Sequence, residues 1–146
     1  MTNLIEKVKM QITKVIKQAL QKAVETGNLP EIEVNEINLE VPREKQHGDF
    51  ATNIAMQITR QAKKAPRQIA EDLINHMNLE GTFIEKVEVA GPGFINFYLK
   101  NLWLYEVIPA IEAEGEDYGK VNIGNGQKVM VEFVSANPTG PMHMGN

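Results

Sequence analysis

The chain has 146 residues, a formal net charge of −4 and a pI near 5.4, with 42% hydrophobic and 23% charged residues. That suits one soluble domain with a real core, or one domain plus part of a second, and no apolar run reaches the roughly 18 residues of a membrane span. The absence of cysteine excludes disulfides and cysteine-zinc sites, and the scattered His47, His76 and His143 argue against a metal cluster. The acidic balance argues against a bulk electrostatic grip on nucleic acid, but leaves room for recognition of a small RNA feature by stacking and a few hydrogen bonds.

Residues 3–26 read as a long amphipathic helix, with Ile5, Val8, Ile12, Val15, Ile16, Ala19 and Ala23 at helical spacing. Thr2 or Asn3 can cap it and Gly27 can stop it. Lys7, Lys14, Lys17 and Lys22 fall on its polar side, a solvated face or, less simply, an RNA-facing one. The charges within this segment leave no continuous apolar core for a secretory signal, so the expected compartment is the cytoplasm. After Pro30, residues 31–37 alternate polar and apolar, and Leu39 and Val41 continue the alternation after a slip at Asn38. The pattern predicts a half-buried strand with a bulge, ended by Pro42.

Asp49 is placed to cap a second helix with Ala51, Ile54, Ala55, Ile58 and Ala62 on its buried stripe. Pro66 suits the first turn of a third, carrying Ile69, Ala70, Leu73, Ile74 and Met77 inward, so residues 49–77 read as a helical hairpin. Arg60, Lys63, Lys64 and Arg67 form a local basic patch at its corner. Residues 84–90 and 94–99 are strand-like and joined by Gly91-Pro92-Gly93, which predicts a β-hairpin. Asn101 can cap a further helix with Leu104, Ile108 and Ile111, kinked by Pro109. Residues 115–126 are polar and glycine-rich, a linker pattern. Residues 128–134 are nearly all apolar, as in a strand buried on both faces of a parallel sheet.

The end of the chain, VEFVSANPTGPMHMGN, places a glycine-proline loop after that strand. A strand, a tight loop and the start of a helix make the phosphate corner of parallel α/β sheets, where free backbone N–H groups and the helix dipole meet an anion. His143 sits where its imidazole can donate to a phosphate oxygen, and Asn146 follows on the same side of the turn. Taken alone, the same residues also describe a proline-rich loop with a surface histidine.

The pattern P-x-H-x-G-N resembles the HIGH signature of class I aminoacyl-tRNA synthetases, and the longer string resembles the arginyl-tRNA synthetase version. HGDFATNIA at 47–55 and AGPGFINFYL at 90–99 resemble the N-terminal domain of the same family. The resemblance implies an enzyme that ligates arginine to tRNA(Arg) with ATP and Mg2+ through an arginyl-adenylate. His143, Gly145 and Asn146 match the ATP-binding positions. Asn146 stands where the signature has histidine, which keeps a hydrogen-bond donor but removes any imidazolium. Glu132, Ser135 and Asn137 match positions around the arginine substrate. The charge of Glu132 suits an ammonium group, although from the residues alone it also reads as a strand acid with a structural partner.

Phe94 and Asn96 match positions that meet an exposed base of the tRNA D-loop. Residues 94, 96 and 98 share one face of a strand, and Phe94, Asn96 and Tyr98 there offer two aromatic planes flanking an amide, able to stack and read a splayed base. The same two aromatics also suit packing beneath a helix. Ile95, Phe97 and Leu99 on the opposite face read as core. His47, Gly48 and Asp49 are assigned structural work: buttressing, turning and capping.

The expected fold is therefore α+β, a small antiparallel sheet packed with about four helices, followed by the first strand of a truncated parallel α/β nucleotide-binding domain. The expected division is a tRNA-recognition domain at 1–118, a linker at 119–127 and the start of a catalytic domain at 128–146. The chain alone is expected to be catalytically inactive and monomeric, to bind no ATP by itself, and to meet neither DNA nor membrane. The alternatives are a free-standing nucleotidyltransferase with an H-x-G-H-like loop and a module for protein contacts alone.

Overall fold

The computed structural model describes residues 4–132 and 140–141. Helix α1 spans Leu4–Glu25. Its buried stripe is Val8, Ile12, Val15, Ile16, Ala19, Leu20 and Ala23, while Ile5 is exposed. The stripe follows from apolar residues three and four apart, which stack on one helical face. Lys7, Lys14, Lys17 and Lys22 are all solvent-facing. The helix stops where Gly27 turns to φ +76° and its N–H bonds Val24 O at 3.0 Å. The proposed caps at residues 2 and 3 lie outside the described residues.

Residues 31–39 do not form the predicted strand. Their side chains keep the alternation, with Ile32, Val34, Ile37 and Leu39 half-buried against the core. The backbone is bridged to a strand only at Glu40, opposite Ala51. Elsewhere side chains substitute for a ladder. The Gln61 amide takes both the N–H and the C=O of Glu33 at 3.2 Å, and Thr52 Oγ1 donates to Asn38 O at 2.8 Å.

A 3-10 turn at Lys45–His47 leads into strand β1, Phe50–Thr52. The predicted helix start at Asp49 is therefore corrected: helical structure begins later, with α2 at Ile54–Gln57 and α3 at Thr59–Ala62. Asp49 instead fastens β1 to β3. Its N–H donates to Phe97 O at 2.8 Å, and its Oδ2 accepts from Leu99 N at 2.7 Å. Helix α4, Pro66–His76, has Pro66 in its first turn and buries Ile69, Ala70 and Leu73. Ile74 and Met77 are only half-buried.

Strands β2, Ile84–Ala90, and β3, Phe94–Leu99, form the expected hairpin. The sheet is antiparallel, ordered β1-β3-β2, with β3 central. Helix α4 packs against both α1 and the hairpin, and α2 packs against α4 and β3. Between them lies the core, where Ile12, Ile16, Ile54, Ile69, Leu73, Ile95 and Phe97 are fully buried.

Beyond β3 the predicted kink is present. Helix α5, Leu102–Tyr105, and α6, Val107–Glu114, are separated at Glu106. Pro109 supplies no N–H to the turn before it, and its ring crowds the carbonyl four residues back. Asn101 makes no side-chain cap. Leu104, Ile108 and Ile111, which share one stripe of this segment, are 51%, 58% and 43% exposed. Trp103 carries the packing against the core instead.

The stretch from Lys128 to Glu132 forms no strand, and Val129, Met130 and Val131 are exposed. A strand apolar on both sides needs neighbours on both sides, and the described residues provide none. No helix among the described residues is long and apolar enough to cross a membrane.

Candidate nucleic-acid interface

Strand β3 divides its side chains as the alternation requires. Ile95, Phe97 and Leu99 enter the core, and Phe94, Asn96 and Tyr98 share the other face. Register extends that face sideways. Asn96 stands opposite Ala51 on β1 and Glu88 on β2, Phe94 opposite Ala90, and Tyr98 opposite Lys86. Glu40 is bridged to Ala51, so Glu40, Ala51, Asn96 and Glu88 form one row across the sheet.

The row has a gap at its centre. Ala51 projects only a methyl group beside the Asn96 amide, leaving a shallow groove of about 340 Å³ over the two. Phe94 lines this groove with Pro42, His47 and the turn residues Gly91 and Pro92, and Glu40 stands at its edge. Asn96 is 4% exposed, so what remains open of its amide is reached through the groove. Phe94 is half-buried, anchored yet with ring surface accessible.

Two glycines hold the groove's borders at distances no other residue permits. Gly48 has φ +87°, and a Cβ there would stand 2.6 Å from Phe97 O. Gly93 has φ +138°, and its Cβ would stand 2.9 Å from the Pro66 carbonyl. The HGDF and GPGF segments are thus the places where the loop before β1 and the hairpin turn close onto the sheet and α4.

Tyr98 is engaged in a different way. Its hydroxyl donates to Gln46 O at 2.9 Å, tying the 3-10 turn to the sheet, and Lys86 Nζ lies 4.2 Å from its ring centroid. Lys86 also pairs with Glu88 at 2.9 Å. The Glu88 carboxylate beside the phenol, with some desolvation, raises the Tyr98 pKa above its ordinary value. The hydrogen bond from Lys86 lowers Glu88, and the same contact raises Lys86. One face of the Tyr98 ring is therefore already occupied by a cation.

Charges around the groove are mixed. Arg67 donates to Gly91 O at 3.2 Å while pairing with Glu71 at 3.3 Å, and Lys64 is committed to Asn28 O and Asp72. The predicted basic patch is thus partly structural, with Arg60 and Lys63 left facing solvent. His47 is exposed at the groove's side, 3.7 Å from Glu44. Among the described residues no group of three or more His, Asp and Glu side chains can hold a metal.

Of the catalytic-end residues named from the sequence, only Glu132 is described, and it is exposed. Ser135, Asn137, His143, Gly145 and Asn146 lie outside the described residues. Conversely, Glu40, Pro42 and Ala51 carry no sequence signal of a site, yet they build the groove. The pairing that places them there joins residues far apart in sequence, which no local pattern reports.

Residues 10–99 match the family model described as the arginyl tRNA synthetase N terminal domain. The chain belongs to that family. It is 59% identical over 146 residues to an arginine–tRNA ligase of Acetivibrio thermocellus, covering all of this chain and 26% of the relative. The figures are the same for the ligase of Ruminiclostridium cellulolyticum. For that of Bacillus subtilis identity is 50% over 144 residues, covering 99% of this chain and 25% of the relative. The arginyl-tRNA synthetase of Plasmodium falciparum aligns in structure with a TM-score of 0.49 at 22% identity, over 65% of this chain and 17% of that one. The chain thus spans about a quarter of the length of the curated relatives it matches. The family match covers β1, α2, α3, α4 and the hairpin, and so every strand of the groove.

Proposed function

We propose that this chain is the tRNA-facing part of an arginyl-tRNA synthetase, and that the groove on the outer face of β3 receives one splayed base of the tRNA D-loop. Phe94 stacks the base and Asn96 reads its edge, since an aromatic plane gives sequence-tolerant affinity and an amide offers both a donor and an acceptor. The observation that carries this is Asn96, buried at 4% exposure yet lining the groove beside Ala51 and Phe94. Tyr98 has the smaller part, holding the turn at Gln46 through its hydroxyl. The mixed charge of the rim implies weak affinity and modest salt dependence for the chain alone. In a whole synthetase, linkage to other tRNA contacts multiplies that affinity.

The longer protein would ligate arginine to tRNA(Arg) through an arginyl-adenylate. ATP, with Mg2+, supplies the adenylyl group. His143, Gly145 and Asn146 are assigned to ATP, and Glu132, Ser135 and Asn137 to arginine. Residues 1–118 form the tRNA-recognition domain, 119–127 the linker and 128–146 the first strand and loop of the catalytic domain, with the protein monomeric and cytoplasmic. Exposure of Val129, Met130 and Val131 supports the view that their sheet is completed by further sequence. By itself this chain is inactive, and arginine-dependent ATP–pyrophosphate exchange tests that directly. The family match over residues 10–99 favours this reading over a free-standing nucleotidyltransferase.

Titrating tRNA(Arg) onto the chain tests the groove. Phe94→Ala is expected to weaken binding by about 1–3 kcal/mol, the usual worth of one base stack. A tRNA altered at the D-loop is expected to lose a similar amount, with no further loss on Phe94→Ala. Unchanged affinity in the variant would remove the stacking role.

A further inference from the structure

Helix α6 is apolar on two sides. Val107, Ala110 and Glu114 face a second cavity of about 400 Å³ shared with Leu4, Lys7 and Tyr118. Ile108 and Ile111 continue the stripe begun by Leu104, facing outward at 58%, 43% and 51% exposure. Leu102 and Tyr105 extend the exposed apolar surface along α5, at 60% and 65%. A helix apolar around most of its circumference belongs in an interior, and a contiguous apolar patch of this kind marks an interface.

The cavity holds a second, independent sign. Glu114 Oε2 is buried and has no hydrogen-bond partner among the described residues, the one such side-chain atom they contain. A buried polar atom without a partner is uncommon in native proteins and calls for a specific cause. A carboxylate oxygen accepts hydrogen bonds and attracts positive charge, so the group that suits it is a lysine or arginine side chain.

We infer that the α5–α6 face is the docking surface for the catalytic part of the same synthetase polypeptide, and that a lysine or arginine from that part enters the cavity to pair with Glu114. The inference rests on the functional reading above. The occupant is argued from length and position. The chain spans only 26% of relatives that match it over its entire length, and α6 leads through a 3-10 turn at Gly115–Asp117 into residues 119–132, which are themselves exposed. A partner continuous with that segment reaches this face with little loss of chain entropy.

The test uses a chimera in which this chain replaces the matched quarter of the Acetivibrio thermocellus ligase. Hydrogen exchange is followed in the chimera and in the 146-residue chain. The amides of α5 and α6 are expected to exchange at least about tenfold more slowly in the chimera. Glu114→Gln and Ile108→Ser are expected to lower the melting temperature of the chimera measurably and to leave that of the 146-residue chain nearly unchanged.

Equal protection of α5–α6 in both proteins, or equal effects of the variants on both, overturns the inference. So does a concentration-dependent dimer of the 146-residue chain, seen by sedimentation and abolished by Ile108→Ser, because the occupant is then a second copy. Should the chimera fail to fold, exchange of the corresponding segment in the unmodified relative decides: fast exchange there refutes the interface, and protection supports it. A chimera that charges tRNA but leaves α5–α6 unprotected sinks this inference alone. A protected chimera that binds no tRNA sinks the functional reading alone.

Discussion

Replacing Gly48 by alanine tests how the loop before β1 is seated. At φ +87° and ψ −173° the backbone occupies a region that is essentially restricted to glycine, and a side chain there costs about 1–3 kcal/mol in strain. The added Cβ would also lie 2.6 Å from Phe97 O and 3.2 Å from Phe97 C. That oxygen is not free to retreat, since it accepts the Asp49 N–H at 2.8 Å and belongs to the central strand. Relieving the overlap stretches that bond, worth about 1 kcal/mol, and shifts packed backbone, costing about as much again. The sum is on the order of 3–5 kcal/mol, a large part of the roughly 5–15 kcal/mol that holds a domain together.

Urea denaturation followed by circular dichroism measures this directly, provided the slope m is unchanged between proteins. Gly27→Ala is the control. Its φ is +76°, but a Cβ would meet nothing within 4 Å, so only the conformational cost of about 1 kcal/mol remains. Gly93→Ala, with the Pro66 backbone at 2.9 Å, is expected to resemble Gly48→Ala. If Gly48→Ala loses no more stability than Gly27→Ala, close approach is not what the HGDF glycine provides, and the argument for the groove's border fails.

Asp49→Ala leaves the Leu99 amide without its 2.7 Å acceptor and is expected to cost about 1–3 kcal/mol, whereas Asp49→Asn keeps an acceptor and is expected to cost less; equal losses in denaturation would contradict the strand-fastening role. The phenol of Tyr98, isolated by difference from a Tyr98→Phe variant in an absorbance titration at alkaline pH, is expected to ionise above the ordinary tyrosine range and to move down in Glu88→Gln. Because its folded pKa is raised, its contribution to stability is present below the unfolded value and fades as pH rises through the folded one; a midpoint at or below the ordinary value would refute the Glu88 contact. Asn96→Val is expected to leave stability the same or higher while abolishing the base preference in RNA titrations; loss of fold, or unaltered RNA selectivity, would count against the assignment.

What the sequence disclosed was the locally determined part. The stripe of α1, the start of α4 at Pro66, the β2–β3 hairpin around Gly91-Pro92-Gly93 and the inward trio Ile95, Phe97 and Leu99 follow from periodicity and turn chemistry within about twenty residues. What it concealed depends on distant partners. Phe50–Thr52 is too short to show an alternation, and Ala51 falls in step with Ile54, Ala55 and Ile58, so a helix extending from Asp49 fits the pattern. It is a strand because Phe50 pairs with Phe97 and Thr52 with Ile95. The reverse happened at residues 31–39, where the alternation is real but the partner is a glutamine side chain rather than a strand. Leu104, Ile108 and Ile111 carry a helical spacing, but among the described residues that stripe stays exposed.

The identity of residue 96 separates the demands of folding from those of recognition. Its position is the centre of a central strand, opposite Ala51 on one side and Glu88 on the other, at 4% exposure. For folding, such a position favours a β-branched or aromatic side chain, and an amide buried there loses hydration that partial hydrogen bonding replaces only in part. The neighbouring choices show the same bias. Ala51 is too small to fill the space above the sheet, although a larger side chain would bury more apolar surface. Phe94 is left half-buried beside that space. Each departs from the best-packed solution in the direction that leaves an amide and a half-buried ring lining an open groove. Stability forgone at adjacent positions on one face of two paired strands is the pattern expected where a surface is kept for a ligand.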